Sequence, residues 1–216
     1  HKPLRLTRHR GLDGACGYAV SGTPADCVKL GVLELLERRP DLVIAGINPG
    51  ANVGINLNYS GTVAAAKEAA LFGVPALAAS IAGAPSDRMM AAGRFVHRVA
   101  VELLDKPLPL GTFLNINFPD LPVAAATGVK VSRQATNGER EYYVKRTDPR
   151  QHDYYWAGLD HGGGEADEGL DTAALARDYI SITPVRCDMT DHAVLDTLRS
   201  WGLENGFRDK FIRTGR

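Results

Sequence analysis

The sequence predicts an α/β fold in which a parallel β-sheet is covered by helices on both faces. From residue 17 to residue 118, short apolar segments alternate with longer segments of helical periodicity. Such alternation is typical of parallel strands joined by helical crossovers. Residues 42–45 are continuously apolar, which is the pattern of a strand buried on both faces of such a sheet. The 216 residues suffice for one domain with an extension.

The first elements follow from local signals. Alternating leucines and basic residues predict a strand near the start of the chain, and residues 17–20 form a second short strand candidate. Thr23 before Pro24 predicts a helix start, because proline lacks only an N–H that has no partner at that position. This helix is expected to end near Arg38.

The later elements alternate up to Pro119, where the composition changes. The expected elements are a helix from Ser60 to Phe72 ended by Gly73, a strand 74–81, a helix of about 20 residues capped by Ser86, and a strand 113–118. Beyond them we expect an exposed aromatic hairpin with arms 141–144 and 153–156, a strand 179–183 and a helix 190–201. The predicted organisation is a core over 1–134, a hairpin with a flexible loop over 135–168, and a C-terminal strand, helix and tail over 169–216.

Composition excludes several classes of protein. The 25 Lys and Arg balance 25 Asp and Glu, so no basic excess favours a nucleic-acid polymer as partner. No apolar run approaches the ~20 residues of a membrane-spanning helix. Three widely spaced cysteines without a CxxC pair argue against a disulfide framework and a zinc site, and favour a reduced, cytoplasmic protein.

Three segments rich in glycine and small polar residues follow predicted strands or precede a predicted helix. They cover residues 21–24, 46–52 and 59–62. In open α/β sheets, ligands bind at the carboxyl ends of the strands, so we expect these segments to form the ligand site.

The triplet Ser60-Gly61-Thr62 is the best candidate for an anion site. A helix N-terminus offers unpaired N–H groups and a favourable dipole to a phosphate, and glycine allows close approach. Serine and threonine are also the usual helix caps, so capping alone remains an alternative. No GxxxxGK[ST] motif is present, which excludes a Walker A loop.

Asparagines crowd the loop before this helix. Asn48 and Asn52 flank Gly50 directly after a predicted buried strand, whereas turn formation explains Asn56 and Asn58. An asparagine carbonyl is a hard oxygen donor that suits Mg²⁺ or Mn²⁺ alongside carboxylates.

Five motifs in register resemble the stationary-phase survival protein SurE family and cover nearly the whole chain. They are SGTPADCV at 21–28, GINPGANVG at 46–54, YSGTVAAA at 59–66, LNINFP at 114–119 and YISITP at 179–184. The resemblance implies a Rossmann-like, three-layer αβα fold with a protruding β-hairpin and a C-terminal helix. It also implies metal-dependent hydrolysis of nucleoside 5′- and 3′-monophosphates, and of short polyphosphate.

The resemblance assigns roles to particular residues. It implies that Asn48 is a metal ligand for Mg²⁺ or Mn²⁺ and acts with Asn52 in catalysis. It places Gly50, Asn52, Ser60, Gly61 and Thr62 around the phosphate. It further implies a homodimer or homotetramer assembled through the hairpin and the C-terminal segment.

The family's other metal ligands come from an N-terminal Asp-Asp-Gly and from a serine in a following loop. We therefore expect the natural polypeptide to extend upstream of His1 by a strand-helix-strand unit that carries them. Without those carboxylates, the alternatives are a nucleotide- or phosphate-binding module without turnover and an oligomerisation subunit.

Overall fold

The computed structural model describes residues 3–11, 14–83, 87–136, 139–161 and 167–204. The strands are β1 Leu6–Arg10, β2 Cys16–Val20, β3 Val43–Pro49, β4 Ala76–Ile81, β5 Thr112–Phe118, β6 Gly128–Val131, β7 Glu139–Thr147, β8 Asp153–His161 and β9 Tyr179–Arg186. The helices are α1 Pro24–Leu30, α2 Gly61–Leu71, α3 Met89–Asp105, α4 Asp171–Ala176 and α5 Leu195–Ser200.

Five strands form the central sheet in the order β3-β4-β5-β9-β6. The strands β3, β4 and β5 are parallel, whereas β9 runs antiparallel to β5 and parallel to β6. The α/β prediction is therefore confirmed, but the sheet is mixed. The connection 119–127 between β5 and β6 is too short for a helical crossover, so the chain reverses direction there.

Helices pack on both faces of this sheet, as expected. On one face, α2 packs its alanines and Val63 against alternate residues of the strands, among them Ala78 and Phe113. On the other face, α3 packs against the residues between them, including Ile81 and Ile116. We call these the α2 face and the α3 face.

Two strand predictions need correction. Strand β2 is not part of the central sheet, because it pairs with β1 in an antiparallel ribbon whose β1 residues are all exposed. Strand β3 is not buried on both faces: Ile44 is 45% exposed. Its exposure has a simple cause, since β3 lies at the edge of the sheet and α3 packs mainly over β4 and β5.

The helix boundaries agree in part with the prediction. Helix α1 ends at Leu30 and passes into a single π-helical turn, Gly31–Leu35, so the helical segment stops short of Arg38. Helix α2 ends as expected before Gly73, whose φ of +69° is the left-handed conformation that glycine adopts readily. Helix α3 starts at Met89, and its expected cap Ser86 lies outside the described residues.

The C-terminal helix is shorter than predicted. Helix α5 covers six residues rather than the twelve of 190–201, and none of them is buried. Its apolar residues Leu195 and Leu198 are only half-buried, and most helical stability in proteins comes from the packing of such residues. The basic tail from 205 onward lies outside the described residues.

The aromatic hairpin is confirmed. Strands β7 and β8 pair over nine positions, from Glu139 opposite His161 to Thr147 opposite Asp153. Its aromatic side chains are between 42% and 67% exposed, namely Tyr142, Tyr143, Tyr154, Tyr155 and Trp156. The glycine run 162–164, expected to be a flexible linker, lies outside the described residues.

Two further features concern the cysteines and the length of the helices. The three cysteines are all unpaired. Among the described residues, no helix is long and apolar enough to cross a bilayer.

Candidate functional site

A row of polar residues crosses the sheet at the carboxyl ends of its parallel strands. Asn48 of β3 lies opposite Ser80 of β4, Ser80 lies opposite Asn117 of β5, and Asn117 lies opposite Ser181 of β9. Ser80, Asn117 and Ser181 are fully buried. The carboxyl edge predicted from the sequence is thus a real polar zone of the sheet.

The glycines of the segment 46–52 shape its path over this edge. Gly46 has a φ of +117°, and a Cβ there would lie 2.3 Å from the carbonyl oxygen of Ala79. Gly50 has a φ of +104°, and its N–H donates to the carbonyl oxygen of Ile81 at 2.8 Å. The backbone of this segment therefore needs glycine at both positions.

Asn48 presents its carbonyl oxygen at the start of this loop. Its side-chain amide group donates to the carbonyl oxygens of Pro49 at 3.1 Å and Gly50 at 2.9 Å. These bonds fix the side chain's orientation, and Oδ1 receives no hydrogen bond from the described residues. Asn48 thus retains a free carbonyl oxygen, as a metal ligand would.

Asn52 is held by the sheet beneath it. Its backbone N–H donates to Oδ1 of Asn117 at 2.8 Å, and its side-chain Nδ2 donates to Oγ of Ser80 at 2.7 Å. Its carbonyl oxygen accepts from Nδ2 of Asn115 at 2.8 Å and from Nδ2 of Asn117 at 3.2 Å. Asn52 is therefore an anchor point of the loop, whatever else it contacts.

The third predicted segment forms the start of α2. Oγ of Ser60 accepts from the N–H of Val63 at 3.2 Å, so Ser60 is the N-cap of the helix. The N–H groups of Gly61 and Thr62 have no acceptor among the described residues. A hydroxyl has one donor besides its acceptor lone pairs, so the cap leaves the Ser60 O–H free for a ligand. Capping and anion binding are compatible here.

The first predicted segment adjoins this helix start. A Cβ at Gly61 would lie 3.2 Å from Cγ of Pro24. Pro24 opens α1, where Thr23 and Asp26 form a reciprocal capping box. Residues 21–24 thus lie beside 59–62, although the strand before them, β2, belongs to the separate ribbon and not to the central sheet as expected. Glycine at 61 avoids a tight contact with Pro24.

A cavity of about 630 Å³ extends from Ser60 along one side of α2. Its apolar lining includes Leu57, Val63, Phe113 and Val185. Its charged lining residues are Lys67, Arg186 and Asp188. The volume exceeds that of a nucleoside, and apolar walls with a few polar groups are typical of small-molecule sites.

A buried carboxylate, that of Asp171, binds the backbone of Gly54, just beyond the segment 46–52. Asp171, fully buried at the start of α4, accepts from the N–H groups of Gly54 at 3.0 Å and Ala135 at 2.9 Å. Burial raises the pKa of this carboxyl above its ordinary value, and these backbone donors oppose the rise. Nε2 of Gln134 also donates to the carbonyl oxygen of Gly54, at 2.9 Å.

Sequence reasoning assigned no individual role to these anchoring residues. Asn115 and Asn117 carried a detectable signal, because two asparagines two apart in an otherwise apolar strand must share one face. For Asp171 no local signal exists, since its partner Gly54 lies 117 residues away along the chain.

Asp188 and His192, four residues apart, form a pair on the surface before α5. Nε2 of His192 lies 2.6 Å from Oδ2 of Asp188, and Asp188 also accepts from the N–H of Thr190 at 2.9 Å. The N–H of Thr190 and the imidazole of His192 lower the pKa of the Asp188 carboxyl. All three residues are exposed, which is typical of a solvated turn.

The described residues do not fit a divalent metal ion by themselves. No group of three His, Cys, Asp or Glu side chains among them is arranged to hold a metal. Mg²⁺ and Mn²⁺ prefer several oxygen ligands including carboxylates, and Oδ1 of Asn48 is a single neutral one. We therefore derive no chemical step through a metal.

Comparison with known proteins gives a consistent family relationship. The family model described as "Survival protein SurE" matches residues 1–141. A protein of Desulfatibacillum aliphaticivorans named 5′-nucleotidase SurE is 48% identical over 204 residues, which are 94% of this chain and 80% of the relative. A protein of the same name from Syntrophobacter fumaroxidans is 46% identical over 187 residues, 87% of this chain and 75% of that relative.

A solved structure has the same fold. The crystal structure of the SurE protein from Aquifex aeolicus aligns with a TM-score of 0.76 at 36% identity, over 93% of this chain and 80% of that one.

Proposed function

The chain belongs to the SurE family, and from that membership we propose that it is a 5′-nucleotidase, a phosphoric monoester hydrolase that acts on nucleoside monophosphates. The observation that carries the proposal is the start of α2. There, two free backbone N–H groups and the hydroxyl of Ser60 form a set of donors that suits a phosphate.

The residues of the chain would bind and orient the phosphate. The N–H groups of Gly61 and Thr62, with the hydroxyls of Ser60 and Thr62, would donate to its oxygens. Preorganised donors of this kind stabilise the charge that develops on the oxygens in the transition state. Asn52 and Gly50 would shape the opposite wall, through a loop that the sheet holds fixed.

The cavity beside Ser60 supports a nucleotide rather than free phosphate as the substrate. We place the nucleoside there, against its apolar walls. The same cavity carries Lys67 and Arg186, which favour further phosphate groups and support short polyphosphate as a second substrate. Hydrolysis of nucleoside 3′-monophosphates is part of the same proposal, and follows from the family resemblance.

We also propose dependence on a divalent ion such as Mg²⁺ or Mn²⁺, with Oδ1 of Asn48 as one ligand. The support is the free, oriented carbonyl oxygen of Asn48; the other ligands are not among the described residues. Such an ion would supply charge neutralisation and an activated water when bound.

Release of inorganic phosphate from AMP tests the activity, and the 3′-monophosphate and a short polyphosphate serve as comparison substrates. The proposal requires multiple turnovers that stop in excess EDTA and return with Mn²⁺ or Mg²⁺. Full activity in EDTA would contradict the metal dependence, and no turnover under any condition would contradict the enzyme.

The second candidate is a module that binds nucleotide or phosphate without turnover. It is favoured by the lack of a metal-binding group among the described residues. Saturable binding of AMP by calorimetry, with no phosphate released over hours in the presence of metal, would select it.

A homodimer or homotetramer assembled through the hairpin and the C-terminal segment completes the proposal. The hairpin has no core of its own, since an isolated two-stranded ribbon is marginal in water and its aromatic side chains are exposed. Exposed aromatic patches are typical of interfaces. Deleting residues 141–156 should lower the molar mass measured by light scattering, and a wild-type monomer at micromolar concentration would contradict the assembly.

A further inference from the structure

Strand β5 carries two asparagines in the interior of the protein. Asn115 and Asn117 are fully buried, and both point to the α2 face between the apolar residues of the α3 face. Burying a side-chain amide is unfavourable unless its hydrogen bonds are replaced. The partners of these two amides therefore indicate why the strand carries them.

Asn117 binds the backbone of a single loop residue. Its Oδ1 accepts from the N–H of Asn52 at 2.8 Å, and its Nδ2 donates to the carbonyl oxygen of Asn52 at 3.2 Å. A primary amide carries one donor group and one acceptor side by side, so it can satisfy both backbone groups of one residue. No apolar side chain, and no carboxylate, can make this pair of bonds.

Asn115 and Ser80 complete the attachment of the same residue. Nδ2 of Asn115 donates to the carbonyl oxygen of Asn52 at 2.8 Å, so that oxygen receives two hydrogen bonds. Oγ of Ser80 accepts from the side chain of Asn52 at 2.7 Å. Four hydrogen bonds from two strands thus converge on Asn52.

The Asn115 side chain satisfies only part of its hydrogen-bonding capacity in this arrangement. Its Oδ1 is buried and has no hydrogen-bond partner among the described residues. An unsatisfied buried acceptor destabilises the fold, whereas an apolar residue of similar shape would not. Among the described residues, the only polar contact of the Asn115 side chain is its bond to the carbonyl oxygen of Asn52.

We propose that Asn117, assisted by Asn115, is a positioning residue that fixes the loop from Asn48 to Asn52 for the reaction. This inference rests on the proposed nucleotidase function, and neither asparagine touches the substrate. Because α2 is held by its own cap, loosening the loop displaces Asn48 and Gly50 while the phosphate donors of α2 stay in place.

One variant is expected to change kcat without lowering stability. Asn115→Val removes the orphaned oxygen and suits a strand, so the midpoint of thermal unfolding should stay equal or rise. The loss of the bond to Asn52 should still lower kcat for AMP, since small misplacements at a reacting centre are costly. A purely structural role predicts that stability and kcat change in the same direction.

Asn117→Asp tests the main contact. It keeps the acceptor for the N–H of Asn52 but places an oxygen against its carbonyl oxygen. We expect kcat for AMP to fall at least ~10-fold with a KM change of less than about threefold. Hydrogen exchange of a peptide covering 46–54 should become faster. The matched control is Ser181→Ala, which alters a buried polar residue of the same face that contacts Ser132 and not the loop.

Ser80→Ala is a milder variant in case Asn117→Asp fails to fold. It removes one hydrogen bond to Asn52, and its matched control Ser132→Ala removes a buried hydroxyl bonded to Ser181 and Thr183. Wild-type kcat and exchange in the variants that contact Asn52 would overturn the inference. So would equal losses in the two control variants.

Failure of the proposed function would be recognised separately. If the wild type releases no phosphate from any nucleotide, the nucleotidase proposal is wrong, and hydrogen exchange alone decides the positioning role. Faster exchange over 46–54 in Asn117→Asp, with unchanged exchange in Ser181→Ala, would support it. Unchanged exchange in both would overturn it.

Discussion

The two faces of the central sheet are built from the same strands but differ in chemistry. On the α3 face, Leu77, Ile81 and Phe118 form a dry apolar core under α3. On the α2 face, the alanine core gives way toward the carboxyl ends of the strands to buried amides and hydroxyls. These polar residues are Ser80, Asn115, Asn117, Ser132, Ser181 and Thr183.

Under our proposal, this difference separates the face that carries stability from the face that positions the site. A residue whose only contact is apolar packing contributes by burial, whereas a buried amide is useful only through its partner. The partners of the polar residues next to β3 belong to the loop above the α2 face. The three predictions that follow test this division, beginning with the largest effect.

The largest effect is expected on the stability of the α3 face. Phe118 is buried there and packs edge-to-face on Phe95, with the ring centroids 5.4 Å apart. Phe118→Ala should lower the free energy of unfolding by about 3–5 kcal/mol, because it leaves a cavity. Denaturant titration measures the loss. The fraction that remains folded should keep the wild-type KM for AMP. A raised KM would contradict the separation of roles between the two faces.

The next largest effect is expected on kcat when the loop residue Asn48 is changed. Asn48→Ala removes the free carbonyl oxygen but only local hydrogen bonds, so kcat for AMP should fall on the order of 10²-fold. The midpoint of unfolding should change little. The control is Ile47→Val, which alters the neighbouring residue packed against the α3-face core. An Asn48→Ala enzyme with wild-type kcat would remove Asn48 from the site.

The smallest effect is expected at the start of α2. Ser60→Ala and Thr62→Ala should each raise KM for AMP and weaken inhibition by phosphate. The lost cap of Ser60 should cost only ~1 kcal/mol of stability. Thr127→Ala, which removes an exposed hydroxyl bonded to the backbone of Arg177, is the control. Unchanged phosphate affinity with a large loss of stability would leave capping as the whole role of Ser60.

Much of this arrangement follows from short-range signals in the sequence. The segments at 46–52 and 59–62 can be recognised in the sequence from their glycines and from the residues that start a helix. The structure brings 59–62 next to Pro24. The alternation along β5 predicts a strand, and its two asparagines mark one face. What these residues bind depends on contacts 63 to 65 residues away, which no local pattern encodes.

The direction of β9 and the separate ribbon of β1 and β2 escaped prediction for the same reason. Strand patterns specify extended backbone and burial but not the neighbour with which a strand pairs. The assignments of Asn48, Asn52, Gly50, Ser60, Gly61 and Thr62 to metal, phosphate or catalysis stay predictions, as do the three domain limits. The geometry of these six residues is compatible with those roles.

The central claim is that a phosphate binds at the start of α2, beside the loop fixed by the α2 face. Its most direct test is a titration of the ¹⁵N-labelled protein with inorganic phosphate, followed by backbone amide chemical shifts. We expect the largest shifts at Gly61 and Thr62, a smaller one at Gly50, and none at the start of α3. Saturable shifts confined to any other helix start, with Gly61 and Thr62 unmoved, would contradict the account.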